Sequence, residues 1–242
     1  MELTKAVKYL AKVSDKYFVS ESEKFLLLHL ELVNPDRISF VAGQYVSVKI
    51  NEQGERRSYS IASTPDMDHG IVLVAEILPN GKGSEYLKNL AVGDEVELLA
   101  PLGQFIIQNS EFRNKLLFVA TGSGIVPIKA MIEDLLIVKR DTRQIRLHWG
   151  MRSEEDLFWF DNFQRLAEEH PNFVFDQVLS KPSEEWELCS GHVQDCLARD
   201  FPQGLPNWEV YICGAQETMS SIQETLAELK VSPEKIHKEK FS

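Results

Sequence analysis

The spacing of apolar and polar residues divides the chain into an N-terminal region of short strands and a C-terminal region where strands and helices alternate. In the N-terminal region, apolar or alternating runs separated by turn residues lie at 25–30, 45–50, 71–77 and 95–99. One short helix is predicted among them, at 84–89. Because many evenly spaced strands with little helix are typical of a small antiparallel barrel, we predict such a barrel over residues 1–110.

From Lys115 onward the pattern changes to strand and helix in turn. Strands are predicted at 116–120, 145–149, 173–179 and 209–213. Helices are predicted at 127–139, 155–169, 193–200 and 217–229. Alternating strand–helix units favour a parallel, doubly wound sheet. We therefore predict a second, α/β domain over residues 111–242, with the boundary near 108–113.

Composition excludes several classes of function. The 242 residues include 26 Lys and Arg against 37 Asp and Glu, and the net charge of −11 disfavours general binding of nucleic acid or anionic membranes. No apolar run approaches the ~20 residues of a membrane span, and the first nine residues lack the apolar core of a signal peptide. Cys189, Cys196 and Cys213 have no CxxC spacing, which excludes a zinc ribbon or a four-thiolate cluster built from them. Such a sparse set is typical of the reducing cytoplasm.

The stretch 57–63 combines a strand pattern with ligand-binding chemistry. Alternation places Arg57 and Tyr59 on one face and Ser58 and Ser60 on the other. A guanidinium binds phosphate through a fork of donors, an aromatic ring stacks on a planar group, and a hydroxyl donates to a ring nitrogen. The set suits a planar cofactor that carries phosphate, and an ordinary solvated edge strand would also explain it.

A glycine loop, Gly81-Lys82-Gly83-Ser84, enters the short predicted helix. Free backbone N–H groups at a helix start, together with a hydroxyl, form an anion site. A glycine turn with Ser84 as N-cap is the plainer alternative. With Arg57 also present, a cofactor with two phosphates is the better account.

A second glycine loop lies between the first parallel strand and its helix. Gly122, Ser123 and Gly124 follow Thr121, in the context that a nucleotide loop requires. Glycines let the backbone approach a pyrophosphate, and Pro127 fits a first helical turn. Pro127 stands where the common dinucleotide fingerprint has its third glycine, so a tight strand–helix turn remains an alternative.

Cys213-Gly214, with Met219 five residues beyond, follows the last strand of the alternating series. Ligands of open α/β sheets bind at this carboxyl edge. A buried free cysteine in a turn would give the same pattern. A Cys–His nucleophilic enzyme is disfavoured, because no histidine lies near Cys213 in the sequence.

Two acidic residues are weaker candidates. Glu239 and Phe241 lie at the end of the sequence, where tails usually fray, but Ile236 and His237 predict a last short strand that would anchor them. Glu76 ends a predicted strand, where a solvated edge residue would look the same.

In this order the motifs resemble those of the ferredoxin–NADP reductase superfamily of flavin oxidoreductases. The resemblance covers nearly the whole chain. The segments that carry it are 43–45, 57–60, 81–84, 122–127, 150–152 with 156–159, 213–214 with Met219, and 239–241.

The resemblance implies that the barrel binds FAD. Arg57 would hold a phosphate, Tyr59 would lie against the isoalloxazine, and Ser60 would lie near its reactive nitrogen. The 81–84 loop would hold the pyrophosphate. The cofactor-binding candidates are Arg57, Ser58, Tyr59, Ser60, Glu76, Gly81, Lys82, Gly83, Ser84, Thr121, Gly122, Ser123, Gly124, Pro127, Arg152, Cys213, Gly214, Met219 and Phe241.

The α/β domain would bind NADPH or NADH. By the resemblance, the nucleotide lies across Ser123, Gly124 and Arg152, with Cys213 beside the nicotinamide, while Phe241 shields the flavin face. The catalytic candidates are Ser60, Cys213 and Glu239, and Glu239 would assist proton movement. Ser242 extends past the aromatic residue that ends the family pattern. The nucleotide preference stays open, because Arg152, Ser180 and Lys181 suit a 2′-phosphate but His192 stands where an arginine would help.

The function implied is an FAD-dependent oxidoreductase that passes electrons between NAD(P)H and a one-electron carrier. The expected partners are ferredoxin, flavodoxin or an oxygenase component, any iron–sulfur cluster being carried by the partner. Two alternatives remain. One is a reductase that releases free reduced flavin, and the other is a non-catalytic electron-transfer or docking subunit. The expected location is the cytoplasm.

Overall fold

The structure is a computed structural model that describes residues 4–108 and 115–241, with only the backbone of Phe241. The chain divides into two compact units. Met1–Ile107 and Lys129–Lys139 form the first, and Gln108–Ile128 and Arg140–Ser242 form the second. No helix within the described ranges is long and apolar enough to cross a membrane.

The first unit is built on an antiparallel sheet of six strands. They are β1 (Val7–Phe18), β2 (Phe25–Asn34), β3 (Tyr45–Lys49), β4 (Arg56–Ser60), β5 (Gly70–Glu76) and β6 (Glu95–Leu102), with one helix, α1 (Lys82–Asn89). Their order is β4-β3-β6-β1-β2-β5, and a bridge between Ile61 and Leu73 brings the two edges together. The predicted barrel is confirmed as a nearly closed sheet.

Alternation positions the core of this unit. Val46 and Val48 on β3 point inward and are fully buried, whereas Tyr45, Ser47 and Lys49, which alternate with them, are half-buried. Apolar side chains from the strands join Leu87 of α1 and Leu90, the residue after that helix, in one hydrophobic cluster. β1 was not among the predicted runs, because most of its twelve residues are polar or exposed.

The second unit contains a parallel sheet of six strands, in the order β10-β9-β8-β7-β11-β12. The strands are β7 (Lys115–Thr121), β8 (Ile145–Met151), β9 (Phe173–Leu179), β10 (Cys189–Ser190), β11 (Trp208–Ala215) and β12 (Ile236–Phe241). The helices that connect these strands along the chain are α2 (Ile125–Glu133), α3 (Phe160–Glu169), α4 (Val193–Asp200) and α5 (Gln216–Glu228). The residues of α2 from Lys129 onward are assigned to the first unit. The predicted parallel α/β sheet, including its last short strand, is confirmed.

The helix expected at 84–89 begins two residues earlier, and two other predicted helices differ more from their expected bounds. The helix expected at 127–139 begins at Ile125, after a 3-10 turn at Gly122–Gly124, and ends in a π-helical turn at Asp134–Val138. The helix expected at 155–169 begins only at Phe160. Trp159, with φ of 59°, takes a left-handed conformation that prevents an earlier start.

Candidate functional site

In the first unit, β4 lies against the start of α1. A Cβ atom placed on Gly83 would lie 2.5 Å from Tyr59 Oη and 3.0 Å from Arg57 Cγ. Arg57 and Tyr59 therefore share a face of the strand, as alternation requires, and only a glycine leaves room for both beside the helix.

Two adjacent arginines on β4 have different surroundings. Arg56 donates to the side chain of Ser47 and, at 2.9 Å, to Glu97. Arg57 is exposed and donates to the carbonyl oxygen of Arg56 at 2.8 Å, and among the described residues it makes no ion pair. The Arg57 guanidinium is therefore exposed to solvent, whereas Arg56 connects β4 to β3 and β6 through Ser47 and Glu97.

The start of α1 offers backbone donors. Gly81 is the N-cap and provides no side-chain cap, and the N–H of Glu85 is the first to reach back to Gly81. The preceding N–H groups have no partner within the helix. The alternative in which Ser84 is the N-cap does not hold, because Ser84 is the third helical residue, and its Oγ accepts from the N–H of Leu78 at 2.9 Å. This bond fixes the loop that leads into the helix.

A cavity of about 610 Å³ adjoins this helix. It is lined by Ile50, Asn51, Gln53, Glu55, Lys82, Glu85, Tyr86 and Asn89. Lys82 donates to Glu55 at 2.8 Å, and this bond lowers the pKa of the Glu55 carboxyl. The cavity thus offers a carboxylate, amides and an aromatic ring next to the start of α1.

The other candidates of this unit are spread along the same sheet. Ser58 is exposed, whereas Ser60 is buried and pairs with Tyr45 of β3. Burial raises the pKa of Tyr59 to about 12, so its phenol stays neutral. Glu76 lies at the end of β5 and forms an ion pair with Lys24 at 3.4 Å.

In the second unit, two motifs far apart in sequence meet at the carboxyl ends of neighbouring strands. Cys213 of β11 pairs with Ala120 of β7. A Cβ atom on Gly124 would lie 2.1 Å from the carbonyl oxygen of Cys213, and one on Gly214 would lie 2.1 Å from Thr121 Oγ1. The two glycine turns are therefore in close contact and form one candidate site.

Neighbouring side chains hold this pair of turns. Trp149 Nε1 donates to the carbonyl oxygen of Gly122 at 3.1 Å, and Thr218 donates to the carbonyl oxygen of Ala215. Pro127 is buried in the first turn of α2. Met219 is also buried, within the hydrophobic cluster that α5 forms against the sheet, so its side chain packs in the core.

Cys213 and Glu239 face each other across β11 and β12, where they are register partners. Burial, reinforced by Glu239, raises the pKa of the Cys213 thiol well above its usual range. Burial also raises the pKa of Glu239 to about 7, and its Oε2 has no hydrogen-bond partner among the described residues. The pair is a neutral thiol beside a carboxyl group that exchanges its proton near neutral pH.

The loops after β8 and β9 are tied together by backbone hydrogen bonds. Ser180 donates to the carbonyl oxygen of Met151, and Lys181 donates to that of Arg152. Arg152 is exposed, and Lys181 lies next to it. The Phe241 backbone pairs with Ala215, while the Phe241 side chain and Ser242 lie outside what the structure describes.

One charged cluster was not predicted. Arg146 binds Asp176 at 2.6 Å and Asp200 at 2.7 Å, and the buried His148 lies 3.1 Å from Asp200. The hydrogen bond from His148, followed by the charge of Arg146, lowers the pKa of Asp200 to about 2. Because the guanidinium binds both carboxylates, the cluster is an ion-pair network rather than a metal site. The polar residues at 146 and 148, within an otherwise apolar strand, were its only signal in the sequence.

Comparison with known proteins supports both halves of the fold. Residues 10–107 match the family model of the oxidoreductase FAD-binding domain, and residues 118–224 match that of the oxidoreductase NAD-binding domain.

Relatives match along most of this chain. The reductase component of phenol 2-monooxygenase from Pseudomonas sp. (strain CF600) is 32% identical over 88% of this chain and 60% of that protein. The reductase subunit of an aromatic O-demethylase from Amycolatopsis sp. is 31% identical over 85% of this chain and 62% of that protein. The crystal structure of an Amycolatopsis cytochrome P450 reductase is 28% identical, with a TM-score of 0.89 over 98% of this chain and 70% of that one.

The chain thus spans about 60% of the length of the first of these relatives. It contains an FAD-binding barrel followed by an NAD-binding parallel sheet, in the order that its motifs predicted. The chain belongs to the ferredoxin–NADP reductase superfamily of flavin oxidoreductases.

Proposed function

We propose that this protein is an FAD-dependent reductase that takes electrons from NAD(P)H and delivers them to a one-electron carrier. In this proposal residues 1–110 bind FAD and residues 111–242 bind NAD(P)H. The observation that carries it is the start of α1, where the exposed Arg57 guanidinium lies near backbone N–H groups that have no partner within the helix, beside a glycine whose Cβ position is occupied by Arg57 and Tyr59.

The residues of the first unit fit FAD. Arg57 and the N–H groups of 82–84 would bind the diphosphate. Tyr59 would stack on the isoalloxazine, and Ser60 would donate to the ring. The cavity beside Lys82 would take the adenosine half, with Glu55 as an acceptor for ribose hydroxyls. Ser58 and Glu76 would complete the edge of the site.

The second unit would bind NAD(P)H at the two interlocked turns. Gly122, Gly124 and Gly214 allow the backbone to approach the nucleotide diphosphate, and Thr121 and Ser123 add hydroxyls. Arg152 would bind the adenosine side, and the buried Met219 and Pro127 hold the helices that carry the turns.

Bound FAD would supply the chemistry, by accepting a hydride from NAD(P)H and releasing electrons singly. The protein would position the reacting groups and would accept or donate protons. Cys213 would offer a neutral, compact surface to the nicotinamide, because its thiol is protonated at neutral pH. Glu239 would hold or release a proton near pH 7, since its carboxyl has a pKa of about 7.

For the partner we propose an oxygenase component, ferredoxin or flavodoxin. The names of the relatives support this class, since they describe reductase components of a phenol 2-monooxygenase and an aromatic O-demethylase. A free-flavin reductase would need a loosely held flavin, whereas in this proposal Arg57 and the start of α1 would hold the diphosphate specifically.

An anaerobic absorbance titration tests the proposal. The purified protein, incubated with FAD and desalted, should be yellow, with bands near roughly 370 and 450 nm, and NADH or NADPH should bleach them. Failure to retain FAD would reject the reductase and favour a docking subunit. Retained FAD that neither nucleotide bleaches would indicate a subunit that is reduced by another protein.

A further inference from the structure

Two cysteines with no role in the proposed reaction are joined in the structure. Cys189 on β10 and Cys196 on α4 form a disulfide across seven residues of sequence, while Cys213 is the free cysteine. β10 is only two residues long and pairs with the end of β9. The bond therefore fastens an edge strand of the sheet to the helix that follows it.

The two sulfur atoms have different surroundings. Cys189 is half-buried, and Arg199 Nη2 donates to its Sγ at 3.2 Å. Cys196 is only 2% exposed and lies within the hydrophobic cluster under α4. A neighbouring guanidinium favours a thiolate, whereas apolar burial disfavours one. In the reduced protein, Cys189 is thus the reactive thiol and Cys196 the protected one.

We propose that Cys189 and Cys196 are a reversible redox-modification site for low-molecular-weight disulfides, with Cys189 as the attacking thiol and Cys196 as the resolving thiol. The Cys189 thiolate attacks one sulfur of the small disulfide, forming a mixed disulfide and releasing one small thiolate. Cys196 then gives up its proton and attacks the Cys189 sulfur, which releases the second small thiolate. Two protein thiols lose two electrons and two protons, and the small disulfide gains them as two thiols.

The disulfide holds a segment that contains residues of the proposed nucleotide site. Residues 180–192 run from the end of β9 to the start of α4 and include Ser180, Lys181 and His192 on the proposed adenosine side. Trp186 Nε1 donates to the carbonyl oxygen of Cys189. The disulfide closes this segment onto α4, so reduction is expected to loosen it and to raise the KM for NAD(P)H severalfold with little change in kcat. This second consequence rests on the proposed function, and the thiol chemistry does not.

The test is thiol alkylation with intact-mass analysis of the full-length protein, reduced, freed of reductant and exposed to oxidised glutathione. Wild type should go from three alkylatable thiols under denaturing conditions to one, with no adduct retained. Cys196→Ser should retain one glutathionyl group on Cys189. Cys189→Ser should acquire none at Cys196.

The matched control is Arg199→Gln, which keeps both cysteines and should slow the first adduct. Wild type that keeps three thiols after exposure would overturn the proposal. An adduct on Cys196 in Cys189→Ser, with none in Cys196→Ser, would reverse the assigned roles and would also contradict it. None of these readouts requires flavin or nucleotide, so a failed reductase assay leaves them interpretable.

Discussion

The candidate sites of the two units are built from different parts of the chain, one from side chains and the other from backbone. The barrel presents side chains: Arg57 and Tyr59 project from β4 towards the start of α1. The parallel sheet presents backbone: the turns at Gly124 and Gly214 pack against each other with no space for a Cβ atom. A substitution in a site made of side chains can abolish ligand binding and leave the domain folded. A substitution in a site made of packed backbone should disturb both binding and folding. The following predictions test this difference, from the largest expected effect to the smallest.

Gly124→Ala should disrupt the second unit itself. Its Cβ would lie 2.1 Å from the carbonyl oxygen of Cys213, and backbone at both positions must move. We expect a loss of about 3 kcal/mol in the free energy of unfolding, as for severe overpacking, together with loss of NAD(P)H binding. Urea unfolding and nucleotide titration measure the two effects.

The matched control for this change is Gly150→Ala, whose Cβ would meet Val193 at an ordinary 3.4 Å. It should leave the free energy of unfolding within about 1 kcal/mol of wild type. Equal free energies of unfolding for the two variants would show that the close contact between the two glycine turns does not determine the stability of the second unit.

Arg57→Ala should release FAD without unfolding the barrel. Removing charged hydrogen bonds to a phosphate costs about 1.5–3 kcal/mol, which corresponds to roughly 10- to 100-fold weaker FAD binding. Quenching of flavin fluorescence on binding measures the affinity.

Its neighbour provides the control. Arg56→Ala removes the hydrogen bonds to Ser47 and Glu97, so it should lower stability and leave FAD affinity nearly unchanged. If both variants lose FAD equally, the distinction between the two arginines is wrong.

Gly83→Ala allows a glycine that packs against side chains to be compared with Gly124, which packs against backbone. Its Cβ would meet only side-chain atoms, Tyr59 Oη and Arg57 Cγ, which can move. We expect less than about 1 kcal/mol of lost stability, but about tenfold weaker FAD binding because both ligand-binding side chains are displaced. A stability loss as large as that of Gly124→Ala would contradict the contrast between side chain and backbone.

Glu239→Gln should change how the free energy of unfolding depends on pH. Burial raises the Glu239 pKa from 4.5 to about 7, so the folded protein binds this proton more tightly than the unfolded chain does. The resulting stability is fully present below about pH 4.5 and is lost as pH rises through about 7.

A glutamine side chain does not titrate in this range, so the Glu239→Gln variant should lose less stability than wild type between about pH 5 and 8. The expected difference is on the order of 1 kcal/mol, by urea unfolding at both pH values. The same substitution should remove any apparent pKa near 7 from the pH profile of flavin reduction. Parallel pH curves for the two proteins would show that Glu239 does not titrate in this range.

The sequence alone was sufficient for the fold class and for the order of the motifs. Periodicity of two over the first region and continuous apolar runs over the second are local properties, set by which face of each strand is buried. The glycines at 83, 124 and 214 were also visible as turn residues. Helix starts were less accurate, because the left-handed Trp159 depends on its surroundings in the folded chain.

Only the tertiary structure decided which of these residues are available for chemistry. Arg56 and Arg57 are the same residue type at adjacent positions, and their surroundings differ because strand register places Glu97 beside Arg56. The contact of Gly124 with Cys213 and the disulfide likewise join residues from different elements. The pKa of Glu239 is raised by burial, which also depends on the folded chain. Local pattern determines what each segment becomes, whereas pairing, burial and charge depend on long-range register, which no local pattern contains.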